Sequence, residues 1–195
     1  NAQRELTSDG SIPFTLESAL AFRRIQMVYR DGALPAVDRG IQYPQGVVSR
    51  EVDTIGVEKL YVRAAQLWPG AFPLAEKIRW LHLLWFCLAI PGMYFWVRWL
   101  GGGGRGGLWA AAFYAVAIAA VARSTGQELS HENNALPLLI WSMALLAWSR
   151  QALHWRSKMA GGWLAALLVG AALCAWDLIQ FYLLLFLAWH LVEAI

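Results

Sequence analysis

Charge is what this sequence has least of. Only 15% of its 195 residues are Asp, Glu, Lys or Arg, against about 25% in an average soluble chain. With 58% apolar residues and 12 Trp beside it, that scarcity excludes an ordinary water-soluble domain. Cysteine is nearly absent as well: Cys87 and Cys174 both lie inside apolar runs and offer no disulfide framework. The charge that exists is unevenly spread. Residues 1–78 hold nine of the sixteen Lys and Arg and nine of the thirteen Asp and Glu, so residues 79–195 carry the net +3. No basic stripe remains for a nucleic-acid surface, and no nucleic-acid partner is expected. No charged-then-apolar leader precedes the polar region and Ile195 closes an apolar run, so the chain reads as a piece of a longer protein.

Four apolar regions follow the polar part. Trp80–Leu100, Leu108–Ala122 and Ala135–Trp148 are the first three, and Gly162–Ile195 is a 34-residue stretch interrupted by Asp177, Gln180, His190 and Glu193. At about 1.5 Å per residue the last would reach roughly 50 Å, against a hydrocarbon core of about 30 Å. Dividing it near Trp176–Asp177 gives five expected spans, near 80–100, 108–122, 135–148, 162–176 and 178–195; one long kinked helix is the alternative. Arg98 and Arg105 flank the run GGGGRGG, and Arg150, Arg156 and Lys158 follow the third span, whereas the loop between the second and third has only Arg123. The positive-inside rule places the first two of these loops in the cytoplasm. Residues 1–78 and 123–134 are then extracytoplasmic. Trp80, Trp99, Trp109, Trp148, Trp163 and Trp176 fall near span ends, as an interfacial aromatic belt requires. The glycine run lacks the Lys-Ser or Lys-Thr of a nucleotide-binding loop and reads as a flexible turn.

Residues 1–78 form a separate region, an outer loop with two helices, and 79–195 the membrane bundle. Thr15 caps a helix over 15–31, with Glu17 in its first turn and Leu16, Leu20, Ile25 and Val28 along one face; Gly32 ends it. An extended stretch punctuated by Pro35, Gly40, Pro44 and Gly46 follows, then a helix from Ser49 to Leu67 stopped by Trp68-Pro69-Gly70. The fold class is an all-α membrane protein with a large helical first outer loop.

Topology brings three acids to one membrane face: Glu17, Glu132 in SHENNALP, and Asp177. Carboxylates at such a boundary are costly unless they pair, face water or coordinate a cation, and oxygen ligands suit magnesium or manganese. The plain alternative is solvated loop acids, with Glu17 and Glu132 as helix starts. Asp177, which interrupts an apolar run, demands a partner or water. His82 and His190 fit packing or interhelical hydrogen bonding.

These residues resemble a family. Glu17, the Arg23 and Arg24 of the following helix, and D-R-G-I-Q-Y-P-Q-G with Tyr43-Pro44-Gln45-Gly46 are similar to the first outer loop of the catalytic subunits of oligosaccharyltransferases and their bacterial relatives, the C-type glycosyltransferases. Glu17 stands where that family has Asp. Arg123-Ser124-Thr125-Gly126 through Ser130-His131-Glu132-Asn133 resembles its second outer loop, Glu132 matching the second acid of an Asp-x-Asp or Asp-x-Glu motif and Ser130 replacing the first. Gly161-Gly162 through Ala175-Trp176-Asp177 is similar to a short span pair joined at an outer turn.

The resemblance implies transfer of sugar from a polyprenyl-phosphate-linked donor to an unidentified acceptor at the extracytoplasmic face. Glu17, Glu132 and Asp177 would be its catalytic acids. Glu17, Glu132 and His131 would hold magnesium or manganese, and Arg23, Arg24 or Arg123 would neutralise donor phosphate. The substituted acids leave a second reading: a catalytically inactive glycosyltransferase-like scaffold, bound to other membrane subunits of a larger complex. An ion transporter fits less well, because no inverted repeat is visible.

Overall fold

The computed structural model describes residues 14, 16–40, 44–49, 56–117 and 128–194. They are predominantly helical. In chain order they form α1 (Leu16–Asp31), β1 (Val37–Asp38), β2 (Val47–Val48), α2 (Gly56–Leu67), α3 (Leu74–Cys87), α4 (Ala89–Val97), α5 (Gly103–Val116), α6 (His131–Gln151), α7 (Trp155–Ala175) and α8 (Ile179–Ala194). The chain divides into two compact units, residues 1–84 with 122–130 and residues 85–121 with 131–195.

The first unit is built on spacing along α1. Phe22, Ile25 and Val28 recur every three residues, which puts them on one helical face. They pack with Phe14 against Tyr61, Val62 and Ala65 of α2, Ile78 of α3, and Leu129. The expected face differs in detail. Leu20 is only half-buried, whereas Phe22 and its neighbour Arg24 are buried, because a partner for the arginine lies inside the unit. Gly32, at φ 78°, ends α1 by donating its amide to the Val28 carbonyl at 3.0 Å, the left-handed cap that glycine adopts without a Cβ clash. The extended stretch closes into a minimal antiparallel hairpin, Val37 opposite Val48 and Asp38 opposite Val47. Ser49 fastens its end, its amide to the Ala36 carbonyl at 3.1 Å and its hydroxyl to the Pro35 carbonyl at 2.6 Å. Thr15, Tyr43 and the expected start of α2 at 50–55 lie outside the described residues.

In the second unit α6 packs along α7 and also against α4, which folds back on α5. Indole N–H groups tie these elements together: Trp85 donates to the Asn134 carbonyl at 3.0 Å and Trp141 to the Leu88 carbonyl at 2.8 Å. Close helix approach depends on Gly161, where an added Cβ would lie 2.8 Å from Ser149 Cβ and 2.9 Å from Trp148 Cε3. The glycine run is divided between a turn and the start of a helix. Arg98–Gly102 makes a kink with Gly101 at φ 102°, and Gly103–Gly107 open α5. At Gly107 a Cβ would come within 2.6 Å of the Tyr94 carbonyl, so the missing side chains let α5 lie against α4. The run over 162–195 is likewise broken at Trp176–Leu178, where Trp176 is extended at φ −157°.

Two stretches are long and apolar enough to cross a membrane, Leu74–Val116 and Trp155–Ala175, and only 22% of the most apolar 18-residue window of each is buried. A helix at the centre of a soluble protein would be mostly buried instead. The first stretch turns back at Gly101; its leading arm, Leu74–Val97, spans about 36 Å at 1.5 Å per residue, and α7 about 31 Å, against a core of about 30 Å. The expected third span, α6, is as long as α7 but carries Asn133, Asn134, Ser142 and Ser149 among its buried residues. At 14 and 16 residues, α5 and α8 are shorter.

Candidate functional site

Two polar places among the described residues bear on the expected site. In the first unit, the turn of α1 that carries Arg23 and Arg24 meets the hairpin and α2. Arg23 clamps Asp38 through two parallel bonds, Nη1 to Oδ2 at 2.7 Å and Nη2 to Oδ1 at 2.9 Å, the fork geometry that only arginine offers a carboxylate. Asp38 Oδ1 also accepts the Gly40 amide at 2.9 Å, closing an Asx turn. The Arg23 guanidinium, the Gly40 amide and the charge of Arg24 together hold the Asp38 carboxyl below the usual carboxylate range, outweighing the opposite effect of burial. Arg24, itself buried, faces the buried Glu58 with Nη1 3.8 Å from Oε1. Nearby, Tyr61 O–H and His82 Nδ1 are 2.7 Å apart and the His82 ring also bonds the Glu128 backbone. The Leu129 amide donates to Ser18 Oγ at 2.9 Å. The segment 128–130, just before His131, is thus fastened to α1 and α3.

In the second unit His131 and Glu132 open α6, where a carboxylate suits the positive helix end. His131 Nδ1 lies 3.1 Å from the Ala175 carbonyl. A carbonyl only accepts, so in this bond Nδ1 is the donor. This carboxamide-oriented imidazole is how a metal-ligating or proton-accepting histidine is commonly fixed. Asp177 lies exposed in the turn between α7 and α8.

The expected residues therefore fall into distinct settings. Glu17 occupies the first turn of α1, its side chain outside the described residues, and Arg123 lies outside them altogether. Arg23 and Arg24 face acids of their own unit. His131, Glu132 and Asp177 belong to the second unit, His131 being joined to the residue two before Asp177. Among the described residues no group of three or more His, Cys, Asp and Glu side chains could hold a metal ion. The expected magnesium or manganese ligands include Glu17, whose side chain lies outside the described residues. Sequence reasoning missed Asp38, Glu58 and Tyr61. Asp38 two residues before Gly40 is an Asx-turn signal and was open to reading; Glu58 and Tyr61 depend on how α2 packs.

An apolar cavity of about 370 Å³ in the second unit is lined by residues of α6, α7 and α8, including Leu139, Met143, Val169, Leu173 and Phe186. Its one hydroxyl, Ser142 Oγ, donates to the Leu139 carbonyl at 2.6 Å, so the cavity offers no acid or base to a substrate. No family model, curated protein or solved structure matches this chain.

Proposed function

We propose that this chain belongs to a membrane glycosyltransferase of the C type, similar to oligosaccharyltransferase catalytic subunits. Its bundle of about five spans sits in a bacterial inner membrane and its first region, with 123–134, in the extracytoplasmic space. The observation that carries the reading is the Arg23–Asp38 clamp. It fastens Asp38, the first residue of D-R-G-I-Q-Y-P-Q-G, to the helix that carries Glu17 in its first turn, so two of the elements that carry the resemblance belong to one body. The exposed apolar faces of α5, α7 and α8, among them Phe113, Leu167 and Leu185, support burial in lipid.

In this reading Glu17, Glu132 and Asp177 are the acids of the transfer site. His131, oriented by the Ala175 carbonyl, joins Glu17 and Glu132 as a metal ligand, and Arg23, Arg24 or Arg123 neutralises donor phosphate. A bound magnesium or manganese would supply charge to stabilise the leaving phosphate. An acidic side chain orients or deprotonates the acceptor hydroxyl or amide, an effect of about 10²–10⁴ in rate. The test is release of polyprenyl phosphate from a polyprenyl-phosphate-linked sugar by the full chain in vesicles with magnesium or manganese. Glu132→Gln and Glu17→Gln are expected to lower it by about 10² or more; equal release by all three proteins would sink the enzymatic reading.

A second reading, a catalytically inactive subunit of a larger membrane complex, is favoured by a specific observation. Arg23 is already committed to Asp38 by both terminal guanidinium nitrogens, and an arginine so held serves the hairpin before it serves a phosphate. Co-purification with other membrane subunits at fixed stoichiometry, without transfer activity, would select it.

A further inference from the structure

One end of the second unit gathers cations. Gln151, at the close of α6, donates its amide to the Trp99 carbonyl of the kink, and the Trp99 and Trp148 rings lie 6.4 Å apart. These contacts hold the turn Arg98–Gly102 and the first turn of α5 beside the short connection from α6 to α7. Five cations therefore share this end, Arg98, Arg105, Arg150, Arg156 and Lys158, all exposed. The sequence supplies them with little counter-charge: no Asp or Glu occurs from Lys77 to Gln127 or from Asn133 to Trp176. Along α6, Glu132 stands about 27 Å from Arg150 at 1.5 Å per residue, and Asp177 is as far from Arg156 along α7. Even with Glu193, whose side chain lies outside the described residues, five cations stand against one acid.

We propose that this end is a binding surface for the headgroups of anionic phospholipids, a proposal that rests on the membrane reading above. Charge complementarity requires an anionic partner, and the aromatic residues select a lipid one. Trp155 is 66% and Trp109 78% exposed. Trp155 adjoins Arg156, whose guanidinium lies 5.9 Å from its ring centre, and Trp109 is one helical turn beyond Arg105. Rings that are apolar on the face and polar at the indole N–H settle at headgroup depth, so the cations beside them stand at the level of the phosphates. Arg98 is drawn to the same level by Tyr94, its Nη1 donating to the hydroxyl at 2.9 Å. Each cation near such a surface strengthens the attraction several-fold, and salt weakens it.

The test reconstitutes the full chain in vesicles of phosphatidylcholine mixed with phosphatidylglycerol, with one or the other lipid brominated. Quenching of Trp fluorescence then gives the relative affinity of the two lipids. Phosphatidylglycerol is expected to be preferred about fivefold or more at low salt, the preference shrinking at high salt. The combined variant Arg105→Gln, Arg150→Gln, Arg156→Gln loses the preference, and the corresponding Lys variant keeps it, which separates charge from packing. Equal affinity of the wild-type chain for both lipids, or a preference that survives in the Gln variant, overturns the proposal while leaving the membrane reading in place. Failure of the chain to float with vesicles of phosphatidylcholine alone overturns both.

Discussion

Replacing Asp38 by Ala removes three hydrogen bonds at once, two from Arg23 and one from the Gly40 amide. A bond to a charged group contributes about 1.5–3 kcal/mol when desolvated. The Arg23 side chain is 40% exposed, however, so water screens the pair and roughly half that value applies. With about 1 kcal/mol for the amide, the loss comes to about 2–3 kcal/mol. It falls on the hairpin, whose two-residue strands are otherwise tied at the Ser49 end. Opening of residues 37–49 should then become about 30- to 150-fold more frequent, read as faster amide exchange by mass spectrometry on the full chain in lipid. Asp38→Asn keeps the shape and the acceptor for Gly40, and should give about fivefold. Unchanged exchange in the Ala variant, within about threefold, would refute the idea that the clamp holds the hairpin. The pH dependence has a definite sign. Because the carboxyl is held below its ordinary value of 3.8, the clamp's contribution is complete above about pH 4 and is lost as pH falls through the depressed value. Exchange corrected for its intrinsic rate should stay slow at pH 5 and rise only below about pH 4.

Three further outcomes follow from the packing. Tyr61→Phe deprives the buried His82 of its hydroxyl partner at 2.7 Å and should destabilise the first unit by about 1–3 kcal/mol in denaturant unfolding; an unchanged midpoint would mean that the pair contributes nothing. Gly161→Ala places a Cβ 2.8 Å from Ser149 Cβ and should cost about 1–3 kcal/mol in thermal unfolding in detergent, whereas Gly162→Ala, which meets nothing within 4 Å, should cost much less. Gly101→Ala forces a Cβ into the left-handed region at φ 102° and should cost about 1–2 kcal/mol; a neutral result would show that the turn can be made another way.

What the sequence made legible is mostly local. Gly32 as the end of α1 and Trp68-Pro69-Gly70 as the end of α2 could be read because a glycine cap or a proline acts within a few residues. The break near Trp176 could be read from the length a hydrocarbon core allows. The face of α1 was harder, because Phe22 sits among arginines, and the acids that make a buried Arg24 tolerable, Glu58 in α2 among them, lie far along the chain. The hairpin had no strand periodicity to announce it: two residues per strand are too few, and a contact with Arg23 fifteen positions away stabilises it. The glycine run pointed toward flexibility because helix propensity disfavours glycine, yet close approach of α4 and α5 overrides that preference. The expected acids were recognisable singly, but spacing along a chain carries no information on how residues from two separate units are arranged.

The hydrogen bond from the Leu129 amide to Ser18 joins residues 111 positions apart, and this has a consequence for how the protein is made. At about 5–20 residues per second, Leu129 leaves the ribosome roughly 6 to 22 seconds after Ser18. Throughout that interval α1, α2 and the start of α3 exist without the side chain that completes their core. The helical hairpin of α4 and α5 must be synthesised first, so maturation of the polar unit is timed by the apolar one. A nascent chain arrested before residue 129 should accordingly remain protease-sensitive in its first eighty residues, and one arrested well beyond it should not.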